Sequence, residues 1–259
     1  MNKSQYVVLA CALVAIMAIY FGFDHKPKKI QDLEKTRLNE IEVTSIDNLL
    51  MDARKNLSIE QSTYLQNIQT ALSTAGNDSI KTDALKNYAS TWYQYGYPVI
   101  SAYYAEEVAK IDKSAEAWSI AGTTYLIALQ QNIDGVEKDF SASHALRCFE
   151  NARSLDPENV DHQINEALVY VNKPLTEEPM KGILMLRSLN EKYPENTAVL
   201  NQLARLAIQT NQLDRAVERL TQVLQLDPEN KTAPCLLTEV YGKMGNEELK
   251  NKYLSLCGQ

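Results

Sequence analysis

Apolar side chains along residues 81–259 recur every three or four positions, which is the spacing of one face of an α-helix. The pattern is clearest over residues 197–230, where two apolar stripes are separated by a short polar segment. Leu200, Leu203 and Ala207 mark the first stripe, and Leu220 marks the second. The sequence therefore predicts a helical hairpin here, and similar pairs of stripes predict further hairpins.

A short proline-containing stretch separates these hairpins. LDPEN occurs at residues 155–159 and again at 226–230, and the similar KYPEN occurs between them. Pro157, Pro194 and Pro228 are therefore 37 and 34 residues apart, a period typical of stacked helical hairpins. Because proline cannot continue a helix, we predict that each copy ends one hairpin and that the next hairpin starts there.

The small and large positions of these hairpins resemble those of the tetratricopeptide repeat. Residues 115–159 match seven of eight pattern positions, and Ala121 stands where the family has leucine. The matching residues are Trp118, Gly122, Tyr125, Ala145, Phe149, Ala152 and Pro157. The resemblance implies an all-α fold, an α-helical solenoid whose first helices line a concave groove.

This register divides the chain into units. Three repeats are clear, one C-terminal repeat follows them, and a degenerate repeat and a helical pair precede them. The expected units are residues 41–80, 81–114, 115–159, 160–196, 197–230 and 231–259. Extra residues are expected between the helices of two repeats, around 130–140 and 172–179.

Local signals predict where single helices begin and end. Ser58 and Gln61 have the spacing of a capping box between the two earliest helices. The degenerate repeat is expected to break at Gly96 and Pro98, and Asp214 is expected to cap the second helix of the repeat at 197–230.

The N-terminus departs from this pattern. Residues 6–23, which begin with Tyr6 and end with Phe23, are 18 apolar or small residues without a charge. As a helix they would span about 27 Å, just enough to cross a bilayer. We predict an uncleaved transmembrane helix, with residues 1–5 as a short tail and 24–40 as a charged linker, because no small-x-small site is suitably placed.

Charges and cysteines indicate an orientation. One lysine precedes the apolar stretch and five cations follow it, so the positive-inside rule places the soluble part in the cytoplasm, at a bacterial inner membrane. The odd cysteine count beyond the stretch, Cys148, Cys235 and Cys257, also favours a reducing compartment. A periplasmic location is the alternative, since anchors with short N-termini often keep that terminus inside.

Composition excludes some functions. The formal net charge of −7 argues against nucleic acid as a ligand, because phosphate binders concentrate lysine and arginine. His144 and Cys148 are four residues apart, but zinc needs three or four ligands. Carboxylates such as Glu106 and Glu107 are interpreted as solvated. We therefore predict no catalytic, metal or cofactor site.

The resemblance implies a peptide-binding groove that changes from apolar to polar along the chain. Its expected lining is Ser119, Thr123, Leu126, Ile164, Leu168, Val171, Asn201, Arg205, Gln209 and Glu239. A second contact surface is expected at the C-terminal face, which would meet a partner or a second copy in a homo-oligomer. It comprises Leu249, Leu254 and Leu256.

Three functions agree with this arrangement. The favoured one is a membrane-anchored scaffold that assembles a protein complex through the groove and the C-terminal face. The second is an assembly factor for envelope biogenesis in the periplasm. The third is a receptor for targeted precursor proteins, although most of the basic clamp residues that would favour it are missing.

Overall fold

All regular structure in the described part of the chain is helical, which confirms the all-α prediction. The structure is a computed structural model, and it describes residues 46–131 and 133–258. Its helices are α1 Ile46–Lys55, α2 Ile59–Ser73, α3 Asp78–Gln94, α4 Pro98–Asp112, α5 Ala115–Leu129, α6 Gly135–Leu155, α7 Val160–Asn172, α8 Lys181–Lys192, α9 Thr197–Gln209, α10 Leu213–Leu226, α11 Thr232–Lys243 and α12 Glu247–Leu254.

The predicted transmembrane helix, its tail and its linker lie outside the described residues. Within residues 46–131 and 133–258, no helix combines the length and the apolar character that crossing a bilayer requires.

From α3 onwards the helices form hairpins that stack in sequence order. Each helix packs mainly on the helix before it and the helix after it. The first helices α5, α7, α9 and α11 also contact one another in succession. Buried apolar side chains form successive clusters within the described residues, one across α4 to α7, one across α7 to α9 and one across α9 to α12. This arrangement is that of a helical solenoid.

The recurring PEN segments end one hairpin and begin the next, as predicted. The asparagine of each segment stabilises the start of the next hairpin. The side-chain oxygen of Asn196 accepts a hydrogen bond from the backbone N–H of Val199 at 3.0 Å. Asn159 and Asn230 make similar bonds to backbone N–H groups at the start of α7 and α11. Each bond satisfies a donor that has no partner within its helix.

The extra residues between α5 and α6 differ from the prediction, because part of them is helical. Asp134 caps α6 within the expected connection: its carboxylate accepts from the N–H of Glu137 at 2.7 Å. The Glu137 carboxylate accepts in return from the Asp134 N–H, so the two residues form a capping box. The extra residues therefore lengthen α6 to 21 residues. Residues 173–180 do form a non-helical connection before α8.

Two predicted breaks are confirmed. Ser58 and Gln61 form a reciprocal capping box at the start of α2. Helix α3 ends at Gln94 and α4 begins at Pro98, while Gly96 between them adopts a left-handed backbone with φ of 86°.

The predicted cap at Asp214 is wrong. Helix α10 begins at Leu213, two residues earlier than a cap at Asp214 would give, so Asp214 lies within its first turn. Its negative charge is favourable there because the N-terminus of a helix carries a partial positive charge. Gln212 occupies the capping position but makes no side-chain capping bond.

Two glycines permit close helix packing. A Cβ atom on Gly182 of α8 would lie 2.7 Å from the backbone nitrogen of Val171 and even closer to the Ala167 carbonyl oxygen. A Cβ on Gly122 of α5 would lie 2.7 Å from the ring of Phe149. The first contact is with backbone and the second with a side chain, so the first has less room to relax.

Candidate functional site

An open cleft of about 370 Å³ lies between α3 and α5, with α4 as its floor. Apolar and small side chains form most of its wall, and charged side chains lie towards one end. The lining residues are Lys86, Ala89, Ser101, Ala105, Val108, Asp112, Ser114, Glu116, Ala117, Ile120 and Thr124. We call this feature the α3–α5 cleft.

Small side chains leave the space for this cleft. Ala89 on α3, Ser101 and Ala105 on α4, and Ala117 on α5 all line it. Ile120 adds a large apolar side chain that is 56% exposed although it lines the cleft. An isoleucine exposed at the wall of an open cleft is available for contact with an apolar group.

The connection from α4 to α5 brings charged groups to one end of the cleft. The Asp112 carboxylate accepts a hydrogen bond from the Ser114 N–H at 3.1 Å. Bonds from the Ser114 hydroxyl and N–H lower the pKa of Asp112, and the charge of Lys86 adds to the effect. Glu116 is a second carboxylate in the lining. With two carboxylates and one ammonium group, this end of the cleft favours a cationic ligand group.

The predicted groove residues fall into three classes of exposure. Leu126, Ile164 and Asn201 are buried, and Ser119, Thr123, Leu168 and Val171 are half-buried. Arg205, Gln209 and Glu239 are exposed.

Core packing explains why two of these residues are inaccessible. Leu126 is 4% exposed and belongs to the cluster that joins α5 to α6 and α7. Ile164 is 3% exposed and belongs to the cluster shared by α7, α8 and α9. Between these first helices, large side chains therefore fill the space that small ones leave open beside α3. The open site lies one hairpin earlier than the centre of the predicted groove.

Asn201 contacts the residue that precedes the next repeat. Its side-chain amide lies 3.5 Å from the side-chain oxygen of Asn230, which also accepts from the N–H groups of Thr232 and Ala233 in the first turn of α11. The exposed Glu239 forms an ion pair of 3.0 Å with Lys243 on the same helix. Arg205 and Gln209 lie on the surface, and their place in a groove stays a prediction.

The interpretation of Glu106 as a solvated carboxylate is wrong, because its side chain is fully buried. One carboxylate oxygen lies 2.6 Å from Nδ1 of His144 and 3.1 Å from the hydroxyl of Tyr125, which donates to it. The other oxygen accepts from Arg147 at 2.6 Å and lies 3.4 Å from Nζ of Lys110. These five residues, the Glu106 network, join α4 to α5 and α6.

Charge and burial oppose each other at this carboxylate. Burial raises the pKa of Glu106, but the hydrogen bond and charge of His144 and the charges of Arg147 and Lys110 outweigh it. The pKa falls from 4.5 to about 2 as a result. Glu106 is therefore ionised at neutral pH and acts as a structural anion.

The same network makes Cys148 unreactive. Burial, followed by the charge of Glu106, raises the pKa of the Cys148 thiol to about 12. A thiol of this kind is a poor nucleophile at neutral pH because the thiolate is the reactive form. Within the described part of the chain, no group of three or more His, Cys, Asp or Glu side chains is placed to hold a metal ion.

The cysteine prediction needs a correction. Cys235 and Cys257 form a disulfide with a Cα–Cα distance of 4.8 Å, and Cys148 is the free cysteine of the described residues. An odd count permits a disulfide, because one cysteine can stay unpaired in the core.

The predicted C-terminal contact residues lie beside this disulfide. Leu254 and Leu256 are 53% and 44% exposed, whereas Leu249 is half-buried. Their contact with a partner or a second copy stays a prediction.

Comparison with known proteins agrees with the repeat assignment over part of the chain. The sequence model of the tetratricopeptide repeat family matches residues 182–231, which include α9 and α10. The match confirms the resemblance for this segment. A comparison with curated proteins finds no match.

Solved structures of tetratricopeptide proteins are also similar. YrrB, described as having an unusual peptide-binding site, is 19% identical, with 73% of this chain and 89% of YrrB covered and a TM-score of 0.36. MamA from Desulfovibrio magneticus RS-1 is 15% identical, with 70% and 93% covered and a TM-score of 0.39. TTC0263 from Thermus thermophilus is 18% identical, with 82% and 98% covered and a TM-score of 0.45.

Proposed function

We propose that this protein is a membrane-anchored scaffold that holds a segment of a partner protein in the α3–α5 cleft. The cleft itself carries the proposal. It offers about 370 Å³ of open space, small and apolar walls, and an exposed Ile120. Concave sites of a few hundred Å³ with apolar walls and a few placed polar groups are typical binding sites.

The lining defines the chemistry of the ligand. An apolar side chain of the partner fits beside Ile120 and Ala117, and a basic side chain of the same segment fits near Asp112 and Glu116. The expected ligand is therefore a short peptide segment that combines one apolar and one basic residue.

Site-specific photocrosslinking in cells tests the proposal. A photoreactive residue at position 120 should give a discrete crosslinked product with one partner. The matched control is position 127, because Ile127 is also an exposed isoleucine on α5 but does not line the cleft.

A substitution at Ala105, which lines the floor of the α3–α5 cleft, tests whether the crosslinked partner lies in the cleft. Ala105→Trp fills the cleft and should abolish the crosslink from position 120. A crosslink that is equally strong from position 127, or unaffected by Ala105→Trp, would assign the contact to another surface.

The membrane anchor is part of the proposal and rests on the apolar residues 6–23. The full chain should stay with the membrane fraction after alkaline carbonate extraction. A chain that lacks residues 6–23 should be released. Release of the full chain would remove the anchor from the proposal and leave the cleft unaffected.

A second candidate function, an assembly factor on the periplasmic side, is supported by the Cys235–Cys257 disulfide. Disulfides persist in oxidising compartments and are rare in the cytosol. The cations after residue 23 support the opposite, cytoplasmic orientation. The proposal therefore includes two orientations, which differ in the side of the membrane from which the repeats can be reached.

Labelling with a membrane-impermeant maleimide distinguishes the two orientations. Spheroplasts are first treated with a membrane-impermeant phosphine, so that Cys235 and Cys257 are thiols on an accessible side whatever their redox state was. Labelling of this pair in intact spheroplasts would place the repeats in the periplasm. Labelling of the pair only after lysis would place them in the cytoplasm.

A further inference from the structure

The last hairpin has less apolar packing than the hairpins before it. Its second helix, α12, has 8 residues and no buried one. The second helices α6, α8 and α10 have between 12 and 21 residues, and each contributes buried side chains. Helix α12 contacts the terminal core cluster through Tyr253, whose ring stacks on Tyr241 with centroids 5.6 Å apart. Such sparse packing holds a short helix weakly.

The disulfide supplies a constraint at this place. Cys235 lies in the first turn of α11, and Cys257 follows the end of α12. The two residues are 22 positions apart, so the bond encloses most of α11 and all of α12 in one covalent loop. A crosslink of this kind disfavours the open hairpin, because it limits the conformations that the open chain can adopt.

We propose that Cys235 and Cys257 are a redox modification site that closes and opens the last hairpin. Both residues are half-buried, so a small disulfide or dithiol reagent can reach them. Cys148, by contrast, is fully buried in the core between α5 and α6 and takes no part.

The closing reaction is a thiol–disulfide exchange with a disulfide-donating oxidant. One cysteine thiolate attacks a sulfur of the oxidant, which breaks the oxidant's S–S bond and leaves a mixed disulfide and one thiolate of the oxidant. The second cysteine thiolate then attacks the mixed disulfide at the protein sulfur and releases the oxidant's second thiolate. The protein loses two electrons and two protons, and the oxidant gains them. A dithiol reductant reverses both steps.

Opening changes the end of the solenoid. Without the bond, α12 can detach together with Tyr253, and the apolar cluster beneath it becomes accessible. The exposed Leu254 and Leu256 then lose their fixed position. The modification site therefore determines which surface the C-terminal end presents.

Hydrogen exchange of the full chain in detergent micelles, followed by mass spectrometry, tests this proposal. Samples are prepared oxidised and after reduction by a phosphine, with disulfide mapping of each. Amides of α12 should exchange roughly 100-fold faster in the reduced sample, because the crosslink no longer opposes opening. Amides of α5 should exchange at the same rate in both samples.

The Cys235→Ser, Cys257→Ser double variant is the matched control. It should exchange like the reduced protein and should not respond to the reductant. Equal exchange of α12 in the oxidised and reduced wild-type samples would overturn the proposal. Faster exchange across the whole chain would also overturn it, because the bond would then support the fold in general.

Discussion

The packing around α4 to α6 and the packing around α7 to α9 use different interactions. In the first region, the fully buried Glu106 receives hydrogen bonds or charge contacts from two neighbouring helices. In the second, Leu186, Leu203 and other apolar residues form a cluster, and Gly182 brings α8 against the backbone of α7. The first region adds directional polar bonds to its apolar cluster, whereas the second is joined by close apolar contact.

This difference explains where the cleft lies. Ala105 and Val108 line the cleft on one side of α4, while Glu106 and Lys110 belong to the polar network. Because the network fixes α4 through bonds to α5 and α6, the cleft-lining face of α4 need not be filled with large side chains. Around α7 to α9, large apolar side chains fill the space between the helices and hold them together. The spaces between the first helices are therefore closed there.

The largest effect is expected from Gly182→Ala in the apolar region. The added methyl group would press on backbone atoms of α7 that cannot rotate away, at a cost of about 3 kcal/mol in the free energy of unfolding. Urea denaturation followed by circular dichroism measures the loss. Gly135→Ala is the control, because a Cβ there meets no atom within 4 Å. An unchanged denaturation midpoint for Gly182→Ala would show that the two helices are further apart.

A smaller effect is expected from Glu106→Gln in the polar region. The amide keeps the shape but loses the charge that pairs with Arg147 and His144, which lowers the free energy of unfolding by about 2 kcal/mol. The matched control is Glu107→Gln. Glu107 forms an ion pair with Lys110, whose side chain stays hydrated, so the loss of this charge should lower the free energy of unfolding by about 0.5 kcal/mol or less. Equal losses for the two variants would contradict a special role of the buried carboxylate.

The stabilisation by Glu106 should depend on pH in a defined direction. Its pKa is lowered from 4.5 to about 2 in the folded chain, so the contribution is complete above 4.5 and disappears as the pH falls towards 2. The difference in unfolding free energy between wild type and Glu106→Gln should therefore be constant near neutral pH and shrink in acid. A difference that stays constant down to a pH of about 3 would assign the stabilisation to the different hydrogen bonds of a carboxyl and an amide group instead of to charge.

The smallest change in stability, and the strongest change in binding, is expected from Ile120→Ser. Because this side chain is 56% exposed, its loss should change the free energy of unfolding by about 0.5 kcal/mol or less. A photocrosslink from the neighbouring cleft position 124 should nevertheless be lost. Retention of that crosslink would show that Ile120 contributes nothing to binding.

Much of the helical framework could be predicted from local signals. The capping box of Ser58 and Gln61 and the break at Gly96 and Pro98 depend on neighbouring residues, and both are confirmed. The start of α6 was missed, although the spacing of Asp134 and Glu137 is the same capping signal.

The cleft and the polar network could not be predicted in this way. The burial of Glu106 depends on His144 and Arg147, which are 38 and 41 residues away in sequence. Surface helices carry many glutamates, and only the packed neighbours distinguish this one. The Cys235–Cys257 disulfide also depends on the folded hairpin, which brings the two cysteines together. The number of cysteines in the sequence does not show which of them are close.

The asparagines at positions 159, 196 and 230 have a consequence for how such a chain can grow. Each one starts a first helix with the same kind of bond and follows the same kind of helix end. A gene duplication or deletion with both breakpoints at these asparagines would join equivalent helix ends and leave every cap intact. The array can therefore lengthen or shorten by whole repeats during evolution, while the α3–α5 cleft before these asparagines and the disulfide-closed hairpin after them keep their sequences.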